Sequence, residues 1–454
     1  MKNIHLIAIG GSAMHNFALE LQELGYRVTG SDDQIFDPSK SRLEKVGLLP
    51  KEMGWFPNKI TTDLDVVILG MHAKPDNPEL AKAKELGLNI MSYPEYLFAE
   101  HAHKKRVVIG GSHGKTTTTS MILHVLNSYK PQSKVDYMVG AQLKGFERMV
   151  KINPEAEVVI LEGDEYLSSP IDMRSKFLWY KPQLAVLTGI AWDHINVFPT
   201  FDSYLDTFRA FIKTIEPGGV LVYNSDDSIL ETMVLDVEHG IQKIPYTYHD
   251  YSISNGITTL HTTDNNYPIS FFGKHNLMNF NAAKHILSHL GLSENEIMTS
   301  IQNFEGADKR LSRVYAKEEV FAFRDFAHSP SKVEACVKAV REQFEGFNIE
   351  VFLELHTYSS LNKDFIPHYK NALEGLKTPV LYFSKKALEI KRMPDLDTTF
   401  VKEAFNKTDL LVLKEAQDLH KEVNNRWKTK SEKTVFLFMS SGNYGGLKLD
   451  EVLK

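Results

Sequence analysis

Short apolar runs rich in Val, Ile and Leu recur along the chain. Each leads into a glycine-rich or polar turn and then into a segment with helical apolar spacing. Residues 4–9 are the first such run and predict a strand; residues 10–14 form the turn, and residues 17–24 carry their apolar positions at the spacing of one buried helix face. Residues 26–32, 65–70 and 88–91 predict further strands. The run Val107-Val108-Ile109 enters a second glycine turn, after which residues 120–126 regain helical spacing. Residues 157–161, 184–190, 320–326, 349–353, 380–383 and 434–439 predict later strands. Strands alternating with helical patterns predict an α/β protein built on parallel sheets.

At 454 residues the chain is longer than one hydrophobic core usually organises, so two or three domains are expected. The polar stretch His101-Ala102-His103-Lys104-Lys105-Arg106 marks the first boundary and reads as a solvated linker. A second boundary falls near Gly306-Ala307-Asp308-Lys309-Arg310. A hydrophobic content of 43% with 24% charged residues is ordinary for a soluble globular protein. The net charge of −6, with no long basic run, argues against a nucleic-acid partner. The lone cysteine, Cys336, excludes an internal disulfide and reads as a small buried apolar side chain. The apolar run at the N-terminus is too short for a signal peptide, and no stretch approaches the ~20 apolar residues of a membrane span. A cytoplasmic protein with no membrane partner is expected; the oligomeric state is not legible.

Chemistry concentrates first at Gly110-x-x-x-Gly114-Lys115-Thr116, between a predicted strand and a predicted helix. That is the context of a phosphate-binding loop, in which glycines let backbone N–H groups and a helix N-terminus close around phosphate oxygens. Lys115 is placed to reach the β/γ-phosphates and Thr116 to offer a hydroxyl to Mg²⁺. The loop is shorter than the usual motif, since Ile109 stands where that motif has its first glycine. A glycine turn followed by a Thr-rich helix start is the plainer alternative. Two later strands deliver Glu162 and His194 at their carboxyl ends, where ligands of parallel sheets bind. With Thr116 and phosphate oxygens they suit Mg²⁺, with Mn²⁺ a further candidate. Singly, Glu162 also reads as a helix cap and His194 as a loop histidine. The first turn, Gly10-x-Ser12-x-x-His15, is a degraded dinucleotide fingerprint; it weakens a nicotinamide reading and leaves a nucleotide held there with Asp32.

The chain resembles the Mur ligases, which build the peptidoglycan peptide on a UDP-sugar. Gly111-Ser112-His113-Gly114-Lys115-Thr116 is similar to their Gly-Thr-x-Gly-Lys-Thr. Gly273-x-His275-Asn276-x-x-Asn279-x-x-Ala282-Ala283 is similar to their adenine-contacting helix start, and Asp325-Phe326-Ala327-His328-x-Pro330 to a motif of their C-terminal domain. The resemblance implies three domains: a Rossmann-like UDP-sugar domain over 1–103, a central P-loop ATPase-like parallel-sheet domain over 104–307, and a C-terminal Rossmann-like domain over 308–454 that receives the amine. It implies ATP and Mg²⁺ as cofactors, UDP-N-acetylmuramate as the carboxylate substrate, and an amino acid or peptide as the amine. Gly111, Ser112, His113, Gly114, Lys115, Thr116, Thr117, Asn276, Arg310, Asp325 and His328 are the implied nucleotide contacts. Lys115, Glu162 and His194 are the implied catalytic set, and Thr116, Glu162 and His194 the implied metal ligands. Gly10, Gly11, Ser12, Met14, Asp32, Arg174 and His356 are the candidate substrate contacts.

Within the family, Glu162 to Tyr166, Asp172 to Phe177 and Met439 to Gly446 are similar to members that add the tripeptide L-Ala-γ-D-Glu-meso-diaminopimelate in cell-wall recycling. His356-Thr357-Tyr358-Ser359 is similar instead to members that add L-alanine. Arg324 and Ser329 depart from the family pattern, which has Asp and His there. A dinucleotide oxidoreductase is the rival reading from another class but gives Lys115 no role. A non-catalytic UDP-sugar sensor is the other, motivated by those departures.

Overall fold

The computed structural model describes residues 1–129, 134–143, 145–192, 197–254, 256–306, 310–391 and 393–453. They form two compact units, one of Met1–Tyr248 with Met278–Ser300 and one of His249–Leu277 with Ile301–Lys454. Residues 249–277, within the predicted central segment, fall in the second unit. Residues 307–309, where the second boundary was expected, lie outside the described residues.

The first unit holds two sheets. A four-stranded parallel sheet runs in the order Arg27–Ser31, Asn3–Ile7, Val66–Leu69, Ile90–Ser92. A seven-stranded sheet runs Gln242–Tyr246, Val220–Asn224, Leu184–Leu187, Lys105–Gly110, Val158–Glu162, Val135–Met138, Val150–Lys151, and only the last pair is antiparallel. Lys105–Gly110 is its central strand, with Val107 in register with Leu184 on one side and Ile160 on the other. A strand covered on both faces must be apolar throughout rather than alternating, which is why Val107-Val108-Ile109 is continuous. It delivers the glycine loop to the carboxyl edge of the sheet.

In the second unit a six-stranded sheet runs Ser312–Lys317, Val320–Asp325, Thr434–Met439, Asn348–Glu354, Val380–Tyr382, Leu411–Leu413, parallel except for the first, edge strand. Cys336 is buried against it. A three-stranded antiparallel sheet, Tyr251–Ser254, Ile257–His261 and Asn266–Ile269, was not legible in the sequence. Its Ser, Thr and Asn content masks the alternation.

One expectation is corrected. The stretch 101–106 is solvated only at Ala102, His103 and Lys105: His101, Lys104 and Arg106 are 1%, 4% and 3% exposed. The reason is a buried acid. Asp136 accepts from Lys104 Nζ at 2.6 Å and lies 2.9 Å from His101 Nε2, and its second oxygen accepts from Asn153 N at 2.6 Å. The Arg106 guanidinium donates to the carbonyls of Tyr180 at 2.9 Å and Ala102 at 2.6 Å. Charges that look like a linker fasten the start of the central strand. Replacing Asp136 by Ala strands the Lys104 ammonium inside the protein, so Asp136→Ala is expected to lower the unfolding free energy by about 3–5 kcal/mol. Lys2→Ala, which removes the surface pair with Glu100, is expected to change it by less than about 1 kcal/mol. Denaturant unfolding of both variants checks this; similar small losses would return Asp136 to a passive role.

Candidate active site

The central strand ends in a turn that only glycine can make. Gly111 has φ +124° and Gly114 has φ +85°. A Cβ on either would sit 2.2 Å from Thr188 Oγ1 or from Asn279 Oδ1. The turn is fixed by its neighbours: Ser112 N donates to Gly189 O at 3.0 Å, and Thr188 Oγ1 donates to the His113 carbonyl. The Ser112 hydroxyl accepts from Ala191 N at 2.7 Å and lies 2.8 Å from the Tyr204 hydroxyl. The helix Lys115–Tyr129 starts directly after the turn, so its positive end points into the cradle. Thr117 is buried in its first turn.

Lys115 Nζ donates to Gly111 O at 2.5 Å and to Glu165 Oε2 at 2.6 Å. Glu165 is buried and also accepts from the Tyr204 hydroxyl at 3.2 Å. Burial pulls the Lys115 pKa down, but Glu165, Asp164 and Glu162 together outweigh it and hold it above the ordinary lysine value. The ammonium is therefore charged throughout the neutral range. Its raised pKa contributes stability that is fully present below the ordinary lysine value and is lost as pH rises through the raised one.

Glu162 accepts from Thr116 Oγ1 at 3.0 Å and from Gly140 N at 2.8 Å. Burial raises its pKa against the lowering effect of Gly140 and Lys115. Two hard oxygens, one anionic, are side by side at the mouth of the glycine turn, a donor set that suits Mg²⁺ or Mn²⁺. His194, the third predicted ligand, lies outside the described residues. Among the described residues no three His, Cys, Asp or Glu side chains group as a metal site.

The sequence pointed to Lys115, Thr116 and Glu162, and the structure brings them together. It left Glu165, Tyr204 and the pair Asp164–Lys176, at 2.6 Å, without roles. Burial pushes the Asp164 pKa up, but Lys176 and Lys115 win and hold it below the usual carboxylate value. The acid-rich end of the strand at 162–165 was the available signal; Tyr204, distant in sequence, gave none.

At the first turn, Asp32 is buried and accepts from Gly10 N at 2.7 Å. It fastens the turn, and burial raises its pKa. A Cβ on Gly10 would lie 2.7 Å from Ile35 Cγ1, whereas Gly11 has ordinary van der Waals room. Ser12 Oγ faces Met149 Sδ at 3.6 Å, and Met14 is in the core. His15 occupies the place of the third fingerprint glycine. Its ring is buried between Gly11 O and Ser39 Oγ, both 2.9 Å from Nδ1, and burial lowers its pKa. Arg174 is exposed on a surface hairpin, paired with Asp172 at 2.8 Å and stacked 4.0 Å over the Trp179 ring.

In the second unit Asp325 accepts from Leu311 N and Ala327 N, each at 2.6 Å. Arg310 lies 4.8 Å over the Phe326 ring, and His328 Nδ1 is 2.7 Å from Phe326 O. Arg310, Asp325 and His328 thus gather at one strand end. Asn276 donates its amide to Phe272 O at 2.9 Å. His356 is half-exposed, 3.9 Å from Glu354, a buried acid that also accepts from Ser440 Oγ and Tyr444 N.

Glu162→Gln tests the local chemistry. The amide can accept from Gly140 N and donate to Thr116 Oγ1 while removing a buried charge. The unfolding free energy is expected to hold or rise by up to about 1 kcal/mol while ATP turnover falls about a hundredfold. A loss of stability larger than that, with turnover kept, would make Glu162 a structural residue.

Residues 109–287 match the model of the Mur ligase middle domain, and residues 3–106 match that of the Mur ligase family catalytic domain. A UDP-N-acetylmuramate–L-alanine ligase from Carboxydothermus hydrogenoformans is 30% identical over 79% of this chain and 77% of its own. The fold is that of a UDP-N-acetylmuramate–alanine ligase from Thermotoga maritima, with a TM-score of 0.70 at 20% identity over 98% and 96% of the two chains. It is also that of a murein peptide ligase from Psychrobacter arcticus, with a TM-score of 0.64 at 20% identity over 98% and 97%. The chain belongs to the Mur ligase family of ATP-dependent, ADP-forming amide ligases.

Proposed function

We propose that this protein joins an amine to the lactyl carboxylate of UDP-N-acetylmuramate through an acyl phosphate, and that the amine is the tripeptide L-Ala-γ-D-Glu-meso-diaminopimelate. The observation that carries the reaction is the Lys115 ammonium held at the strand end among Glu162, Asp164 and Glu165. A carboxylate oxygen attacks the γ-phosphorus of ATP, the bond to the ADP oxygen breaks, and ADP leaves. The amine then attacks the acyl carbon and phosphate departs with one former carboxylate oxygen. Both steps build negative charge on oxygens beside the loop, so a fixed cation and the helix N-terminus stabilise them without reorganising. Thr116 and Glu162 would hold Mg²⁺, which supplies charge neutralisation on the phosphates. Lys115 spends two of its three N–H donors on Gly111 O and Glu165 Oε2, so one is left to meet phosphate while Tyr204 also donates to that carboxylate.

The remaining assignments belong to the same proposal. Gly111, Ser112, His113, Gly114 and Thr117 shape the phosphate cradle; Asn276, Arg310, Asp325 and His328 are nucleotide contacts. Gly10, Gly11, Ser12, Met14, Asp32, Arg174 and His356 are substrate contacts. The domain division at 103 and 307 is part of this reading.

The choice of tripeptide rests on the similarity of residues 172–177 and 439–446 to tripeptide-adding members. A second reading, L-alanine, is favoured by the names of the curated relatives and by His356-Thr357-Tyr358-Ser359. The tripeptide is expected to be ligated with a kcat/KM about tenfold above that for L-alanine, or about 1.4 kcal/mol in transition-state binding. Equal or better use of L-alanine in a side-by-side assay would establish the second reading. In either case Lys115→Ala is expected to lower kcat by about a hundredfold or more while UDP-N-acetylmuramate still binds. A folded Lys115→Ala protein with near-normal turnover would remove the phosphate role.

A further inference from the structure

A cavity of about 380 Å³ is formed wholly within the second compact unit, between the strands Ile257–His261 and Asn266–Ile269 and the six-stranded sheet. Its floor is a cluster of phenylalanine rings. Phe272 lies 5.2 Å from Phe323 and 5.7 Å from Phe344, and Phe321 lies 5.0 Å from Phe344, centroid to centroid. Phe272, Phe323 and Phe344 are buried, so the rings are fixed by packing on their far sides. One wall is the Gln343 side chain. Its oxygen accepts from Thr258 Oγ1 at 2.7 Å and its nitrogen donates to Gly256 O at 2.5 Å. That amide is held in place rather than available for a ligand.

The charge is all on one side. Arg313 is the only ionisable side chain that lines the cavity among the described residues. It is in register with Phe323 across the antiparallel pair, so the two side chains stand on the same face of the sheet. Arg313 is exposed and has no ion-pair partner among the described residues. An unpaired guanidinium over an aromatic floor is a site of stated polarity, because it offers bidentate donation to an anion above a surface that excludes water. The volume is within the roughly 300–1,000 Å³ range of small-molecule pockets. None of the candidate nucleotide, metal or substrate residues named above lines it among the described residues. Lys115, Thr116 and Glu162 belong to the other unit, and Asp325 is at the carboxyl end of the strand whose earlier residues, Phe321 and Phe323, line the cavity.

We propose that this cavity is a second ligand site, for a compact amphipathic anion: a flat aromatic or branched apolar body bearing a single carboxylate, sulfonate or phosphate. A nucleoside triphosphate carries several negative charges, whereas Arg313 is the one cation lining the cavity among the described residues, so a singly charged anion is the better match. A neutral apolar molecule would fill the floor and gain nothing from Arg313.

The test uses two naphthyl dyes that differ in the anionic group, 8-anilinonaphthalene-1-sulfonate and neutral N-phenyl-1-naphthylamine, titrated into the full chain by fluorescence. The sulfonate is expected to bind one per chain, and Arg313→Glu to weaken it about tenfold or more, while Arg313→Lys keeps it within about threefold. The neutral dye is expected to be indifferent to Arg313→Glu. Ile257→Trp, at an exposed position on the cavity wall, is expected to weaken both dyes by intruding on the floor. Circular dichroism melts confirm that each variant is folded. Sulfonate binding unchanged by Arg313→Glu, or displacement of the dye by saturating MgATP, would overturn the proposal.

Discussion

A lysine ammonium kept largely out of water must be surrounded by negative charge, and the active end of this protein is arranged around that requirement. Lys115 follows a turn whose two glycines bring it back toward the carboxyl edge of the sheet. The neighbouring strand supplies Glu162, Asp164 and Glu165 there. Those acids in turn need partners: Thr116 and Gly140 for Glu162, Lys176 for Asp164, Tyr204 for Glu165. In the described geometry Lys115 is latched to Glu165 at 2.6 Å. The contacts to Glu165 and Gly111 O keep the lysine in one position.

The same logic holds the scaffold. The central strand is apolar on both faces, and its start is fixed by a buried Lys104–Asp136–His101 cluster and by Arg106 wrapped in carbonyls. Buried ions are weak evidence for net stability, since desolvation offsets most of their attraction. Their effect here is to fix where the strand begins, and therefore where the loop at its other end arrives.

Local pattern carried much of this. A continuous Val-Val-Ile run before glycines announced a central strand and its loop, because burial on both faces and positive φ are requirements that few residues meet. The Thr116–Glu162 pairing was legible because both positions follow strands of one parallel sheet. Three kinds of feature were not legible. His101 and Lys104 in the polar stretch 101–106 looked solvated because their buried partner Asp136 is far away in sequence. The bond from Gly10 N to the Asp32 carboxylate was not foreseen, because it depends on the curl of the turn. The antiparallel sheet over 251–269 has too many Ser, Thr and Asn residues for its alternation to stand out. Each miss is a long-range partner or a backbone contact that composition does not encode.

The central claim is that the loop directs ATP onto a carboxylate oxygen to form an acyl phosphate. Oxygen-isotope transfer tests it most directly. With UDP-N-acetylmuramate labelled with ¹⁸O in its lactyl carboxylate, ligation in the presence of ATP and the amine is predicted to give inorganic phosphate carrying one labelled oxygen, because the C–O bond to the phosphoryl group is the one that breaks. Unlabelled phosphate from a turnover that forms the amide would contradict the account.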